Sequence, residues 1–176
     1  MLQLPAEWRR ALRDHGDQDA ILDMYQNADV SIWRFPPYCY GMPSRLKALL
    51  GRTIPLVKMT TVKQPEGTVR HEALVDDSRI HTVVICDCGF PHQEGYFDGF
   101  RQMCKTCLGS PEIICVPETP MLNVAAEAIV ADPLPKRFED AGAKYAANQH
   151  LLAETVAALE TPMISAEEYI RNVNEV

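Results

Sequence analysis

HTVVICDCGFPHQEGYFDGFRQMCKTCLGSPEIICVP, residues 81–117, decides how this chain is read, because five of its six cysteines stand there, four of them in two tight groups. Cys86-Asp87-Cys88 runs into Gly89, and Cys104-Lys105-Thr106-Cys107-Leu108 runs into Gly109. Each glycine lets the backbone turn so that its amides face the thiolates. Fifteen residues separate Cys88 from Cys104, a gap that suits two short cysteine turns joined by a hairpin around one tetrahedral zinc ion. Thr82-Val83-Val84-Ile85 and Glu112-Ile113-Ile114-Cys115-Val116 flank the groups as β-branched runs, so a strand is expected beside each.

Strand, cysteine turn, hairpin, cysteine turn, strand is the outline of a zinc ribbon, and the segment resembles zinc-ribbon modules in general. It departs from them at the first turn, which is Cys-x-Cys where Cys-x-x-Cys is commoner; His92 is the substitute ligand for Cys86 or Cys88. The reading assigns Cys86, Cys88, Cys104 and Cys107 to one structural zinc ion. Four protein ligands leave no open position for water or substrate. The alternatives are reduced cysteines without metal, or two disulfides.

Within the ribbon, Tyr96, Phe97 and Phe100 sit on a glycine-punctuated stretch and are expected to be its core rather than an exposed tip. His92-Gln93-Glu94 followed by Cys104-Lys105-Thr106-Cys107 also resembles the zinc deaminase signature H-x-E … P-C-x-x-C, which would make Glu94 a proton shuttle. Nine residues between Glu94 and Cys104 are too few for the strand and helix of those enzymes, and Met103 stands where the proline belongs. A zinc-dependent hydrolase or deaminase is therefore the least favoured reading.

Around this segment, 176 residues with 47% hydrophobic content suffice for a packed core. No run approaches eighteen apolar residues and the N-terminal stretch has no signal-peptide core, so a cytoplasmic setting with reduced thiols and no membrane partner is expected. Net charge is −7 but unevenly spread. Residues 1–70 carry ten Lys and Arg against seven Asp and Glu; residues 116–176 carry four against ten. Only the first third is suited to face phosphates.

In that third, residues 5–13 predict a short helix, residues 17–28 a second and residues 43–50 a third. Trp33, Tyr40, Gly41, Met42, Leu46 and Leu49 have the spacing of a degenerate helix-turn-helix, with Arg45 and Lys47 on its second helix; Pro36-Pro37 falls where the first should continue. The plain alternative is a packed helical subdomain. Residues 54–62, 68–75 and 80–85 then predict an antiparallel meander leading into the cysteine turns, with Gln64-Pro65-Glu66-Gly67 and Asp76-Asp77-Ser78-Arg79 as its turns.

After Pro117 acidic helical patterns take over: residues 121–131, a long helix over 135–160, and a last helix opened by the capping box Ser165-Ala166-Glu167-Glu168. Phe138, Tyr145, Leu152 and Leu159 recur every seven residues, a seam either for the chain's own core or for a homodimer through residues 135–160.

The sequence thus predicts an α+β protein with a helical subdomain (1–53), a small antiparallel sheet with a zinc ribbon (54–117) and an acidic helical region (118–176). Its function is read as a non-enzymatic, zinc-stabilised regulator touching DNA through Arg45, Lys47 and Arg52. The alternative is a protein-only adaptor or inhibitor that binds a larger nucleic-acid enzyme through the ribbon tip and Glu154, Glu160, Glu167 and Glu168.

Overall fold

The computed structural model describes residues 17–65, 67–74, 79–91, 95–123 and 134–174. The helices expected over 5–13 and 121–131, and His92 and Glu94, lie outside the described residues in whole or in large part. The protein mixes helices with small sheets, as the α+β reading requires. It gathers into two units, residues 1–31 with 44–81 and residues 32–43 with 82–176. Neither is one continuous stretch.

In the first unit, helix α1 (Gln18–Gln26) precedes strand β1 (Val30–Phe35), most of which belongs to the second unit, and helix α2 (Ser44–Gly51) is followed by a 3-10 turn at Ile54–Leu56. Strands β2 (Val57–Lys63) and β3 (Val69–Ala73) then form an antiparallel ribbon. Gly67, at φ 91°, makes its turn: its N–H donates to the Gln64 carbonyl, and the Gln64 N–H to that of Thr68. The third expected strand of the meander does not join. Strand β4 (His81–Asp87) pairs instead in a separate sheet of order β1-β4-β5, where β5 is Glu112–Val116.

Strands β4 and β5 are parallel, with Val84 opposite Ile113 and Cys86 opposite Cys115. Their connection is helix α3 (Asp98–Leu108). This corrects the antiparallel ribbon: Cys104-Lys105-Thr106-Cys107 lies within a helix, not in a turn at the end of a hairpin. Two features of the sequence explain the outcome. Val83-Val84-Ile85-Cys86 and Ile113-Ile114-Cys115-Val116 are continuous apolar runs, the composition of strands covered on both faces, and parallel strands require a crossover long enough for a helix. Phe97, Phe100 and Cys104 then recur at helical spacing and are all buried.

The two sheet faces of the second unit are covered differently. Val83, Ile85, Ile114 and Val116 face helix α4 (Leu134–Asn148) and helix α5 (Ala153–Glu160), packing with Leu134, Phe138, Ala141, Tyr145 and Leu159. Val84, Cys86, Ile113 and Cys115 alternate onto the opposite face, and Phe35 of β1 meets Phe100 of α3 edge to face at 5.6 Å. The long helix expected over 135–160 is broken at Gln149, which has φ 56°. Three members of the seven-residue seam, Phe138, Tyr145 and Leu159, are therefore spent on the chain's own sheet, while Leu152 stays exposed.

Helix α6 (Ala166–Asn174) starts as its capping box predicts. The Glu168 N–H donates to Ser165 Oγ at 3.2 Å, and the Ser165 N–H and hydroxyl donate back to Glu168 Oε2 at 3.2 and 3.0 Å. Those bonds, the backbone one first, hold the Glu168 carboxyl below its usual range. No helix among the described residues is long and apolar enough to cross a membrane.

Candidate nucleic-acid interface

The first unit balances ten Lys and Arg against ten Asp and Glu, but its cations are concentrated in one part of it. Residues 44–75 hold six Lys and Arg against two Asp and Glu, in a protein whose total is −7. Helix α2 presents two of them: Arg45 and Lys47 are exposed, while Leu46, Leu49 and Leu50 on its other side are half-buried. The third expected contact, Arg52, is half-buried just past the helix, where its N–H donates to the carbonyls of Ala48 and Leu49. Thr53 Oγ1 donates to the Leu50 carbonyl at 2.8 Å and helps close the helix.

Pro36-Pro37 interrupt any first helix of a helix-turn-helix: the segment is the end of β1 followed by a 3-10 turn at Tyr38–Tyr40. Arg45 and Lys47 therefore stand on a short surface helix that no α-helix precedes directly. What the sequence did not single out is the ribbon that follows. Thr61 stands opposite His71 and Lys63 opposite Val69, and all four side chains are exposed. The other face is tied internally, since Lys58 Nζ pairs with Glu72 and Thr60 Oγ1 donates to Glu72 Oε2 at 2.8 Å. The Lys58 bond, then the Thr60 one, holds the Glu72 carboxyl below its usual range. The legible signal was polarity on both faces of β2, which a core strand does not show.

The expected zinc ligands are distributed rather differently. Cys86 lies on β4 and Cys88 just past it, both buried; Cys104 is buried within α3, and Cys107, one turn on, is exposed. Among the described residues no group of three His, Cys, Asp or Glu side chains is gathered closely enough to hold a metal ion. Cys86 instead hydrogen-bonds with Cys115, and that bond, followed by burial, pushes its thiol far up. Burial, then the neighbouring Cys115, raises the Cys104 thiol to about 11.

Of the aromatics in residues 95–101, Phe97 and Phe100 are buried as expected, and Tyr96 is half-buried. Tyr96 meets Tyr40 edge to face at 5.1 Å and Phe90 at 6.3 Å. Tyr40 is raised to the surface by a backbone in the left-handed region, Cys39 at φ 50° and Tyr40 at φ 62°.

Two of the four carboxylates assigned to a protein partner have internal work. Glu160 Oε1 accepts the Cys115 N–H at 2.8 Å and an Arg101 N–H at 2.6 Å, while Arg101 also donates to the Ile113 carbonyl at 3.3 Å. The pair seals the outer edge of β5, whose unpaired backbone groups would otherwise recruit another strand. Glu168 belongs to the capping box, leaving Glu154 and Glu167 as the exposed pair outside these bonds. No protein-family model matches the chain, and no curated protein matches it significantly.

Proposed function

We propose that the protein is a non-enzymatic DNA-binding regulator that contacts the duplex with its first unit, Arg45 and Lys47 supplying phosphate contacts from helix α2 and Arg52 supporting them. The observation that carries this reading is the uneven charge: six cations against two anions over residues 44–75, within a chain of net −7. A basic surface on an acidic protein concentrates affinity for a polyanion in one place and repels it elsewhere. The exposure of Arg45 and Lys47 supports it, and the internal use of Glu160 and Glu168 weighs against the acidic helices as the principal binding surface.

The test is fluorescence anisotropy with a labelled random duplex across a salt series. Affinity should fall linearly in log–log form, and each phosphate contact removed should flatten the slope by about 0.9. Arg45→Ala, Lys47→Ala and Arg52→Ala combined should therefore reduce it by roughly two to three. No binding at low salt, or an unchanged slope in the triple variant, refutes the assignment.

A further inference from the structure

We infer that the β2–β3 ribbon is the reading element, lying in the DNA major groove with Thr61, Lys63, Val69 and His71 toward the base edges. This rests on the DNA-binding reading above and deepens it.

The ribbon register is the starting point. Thr61 opposite His71 and Lys63 opposite Val69 are alternate cross-strand pairs, so the four side chains share one face. All four are exposed, Val69 at 66%. The opposite face is covered only in part: Lys58, Arg70 and Glu72 are half-buried, while Thr60 and Val62 are exposed. A two-stranded ribbon is marginal by itself in water, and one with a fully open face gains stability from whatever covers that face.

Shape and chemistry select the occupant. Neighbouring strands lie about 4.8 Å apart, so a pair of them with side chains fits a major groove about 12 Å wide. Lys63 suits the O6 and N7 acceptors of guanine, Thr61 and His71 bring hydrogen-bonding groups, and Val69 offers apolar contact to a thymine methyl. That mixture reads bases; a surface serving phosphates alone would be uniformly cationic. Helix α2, eight residues long, exposes mainly Arg45, Lys47 and Ala48 beyond its first residue, which suits backbone positioning better than readout. An A-form RNA duplex hides its major groove from side chains, so the same face would be idle on it.

The experiment uses the full chain. A preferred duplex is selected from a randomised pool, and methylation by dimethyl sulfate, which attacks guanine N7 in the major groove, maps the contact. The expected result is N7 protection within the selected site. Thr61→Ala with His71→Ala should lower the ratio of preferred to random affinity by about 10-fold or more, since a well-placed base contact discriminates by that order. Arg45→Ala with Lys47→Ala should instead weaken preferred and random duplexes together. Both sets change exposed side chains, and circular dichroism checks that the fold is retained. Binding to DNA without N7 protection, discrimination indifferent to Thr61 and His71, or preference for RNA or single strands overturns the inference while leaving the charged surface standing. Absence of any nucleic-acid binding by the unaltered protein overturns both.

Discussion

Replacing Glu118 should unfasten the second unit more than any other single carboxylate change. Its side chain is fully buried, with φ 60°, and Oε2 accepts the N–H groups of Met163 at 2.7 Å and Ile164 at 3.2 Å. Its own N–H donates to the Phe90 carbonyl, and the N–H and hydroxyl of the next residue, Thr119, both donate to the Cys88 carbonyl. One residue thus ties the segment before α6 to the loop after β4. Oε1, buried beside it, has no hydrogen-bond partner. Hydrogen bonds to a charged acceptor contribute about 1.5–3 kcal/mol each, and stranding their buried donors costs more than the mean bond. Glu118→Ala should therefore lose roughly 3–5 kcal/mol, less than the simple sum because neighbouring bonds do not add.

The backbone separates two contributions to that loss. Alanine retains the left-handed strain at this position, whereas glycine sheds about 1 kcal/mol of it and gives part back through its freer unfolded chain. Glu118→Gln keeps an acceptor oxygen but makes its bonds roughly half as strong, a cost of about 1–2 kcal/mol. The expected order of stability is wild type, then Gln, then Gly, then Ala. Urea unfolding followed by the fluorescence of buried Trp33, which belongs to the same unit, measures it. Hydrogen exchange adds a local readout, since the Met163 and Ile164 amides should lose protection in the Ala variant. A Glu118→Ala protein within about 0.5 kcal/mol of wild type, the range of a neutral surface change, would refute the role given to this carboxylate.

Two further outcomes bear on the cysteines. With a thiol reagent under native conditions, Cys39 and Cys107 should react promptly and the other four only on unfolding, with the same result after a chelator; rapid labelling of Cys107 only after chelation would instead identify it as a zinc ligand. Because the folded Cys104 thiol titrates at about 11, above the ordinary 9.0, the unfolded chain ionises first. Stability from this group is complete below pH 9 and should fall as pH rises from about 9 to 11, a slope that Cys104→Ala flattens in pH-dependent urea midpoints.

Much of the helical content was legible because its signals are local. Ser165 and Glu168 specify a capping box by spacing alone, and both directions of the box form. The ordering of strands was not local. A β-branched run does not say whether its partner is parallel, and residues 95–109, expected as hairpin and turn, hold the helix Asp98–Leu108, which buries Phe100 and Cys104. Two thiols close in sequence suggest a ligand turn. In the fold, the closest thiol neighbour of Cys86 in physical effect is Cys115, brought alongside by parallel register.

The same distinction explains why the candidate interface was only half visible. Arg45 and Lys47 stand out in a helical repeat because the leucines around them mark which side is covered. Thr61, Lys63, Val69 and His71 carry no such mark: each is ordinary in a strand, and only the register that aligns 61 with 71 and 63 with 69 makes them a surface. Cations placed by a local repeat provide attraction without regard to sequence, and groups assembled by long-range pairing provide a pattern. A protein that separates these two roles between a short helix and a ribbon should let its affinity and its selectivity be altered by different substitutions. That independence distinguishes a reader of DNA sequence from a surface that is merely basic.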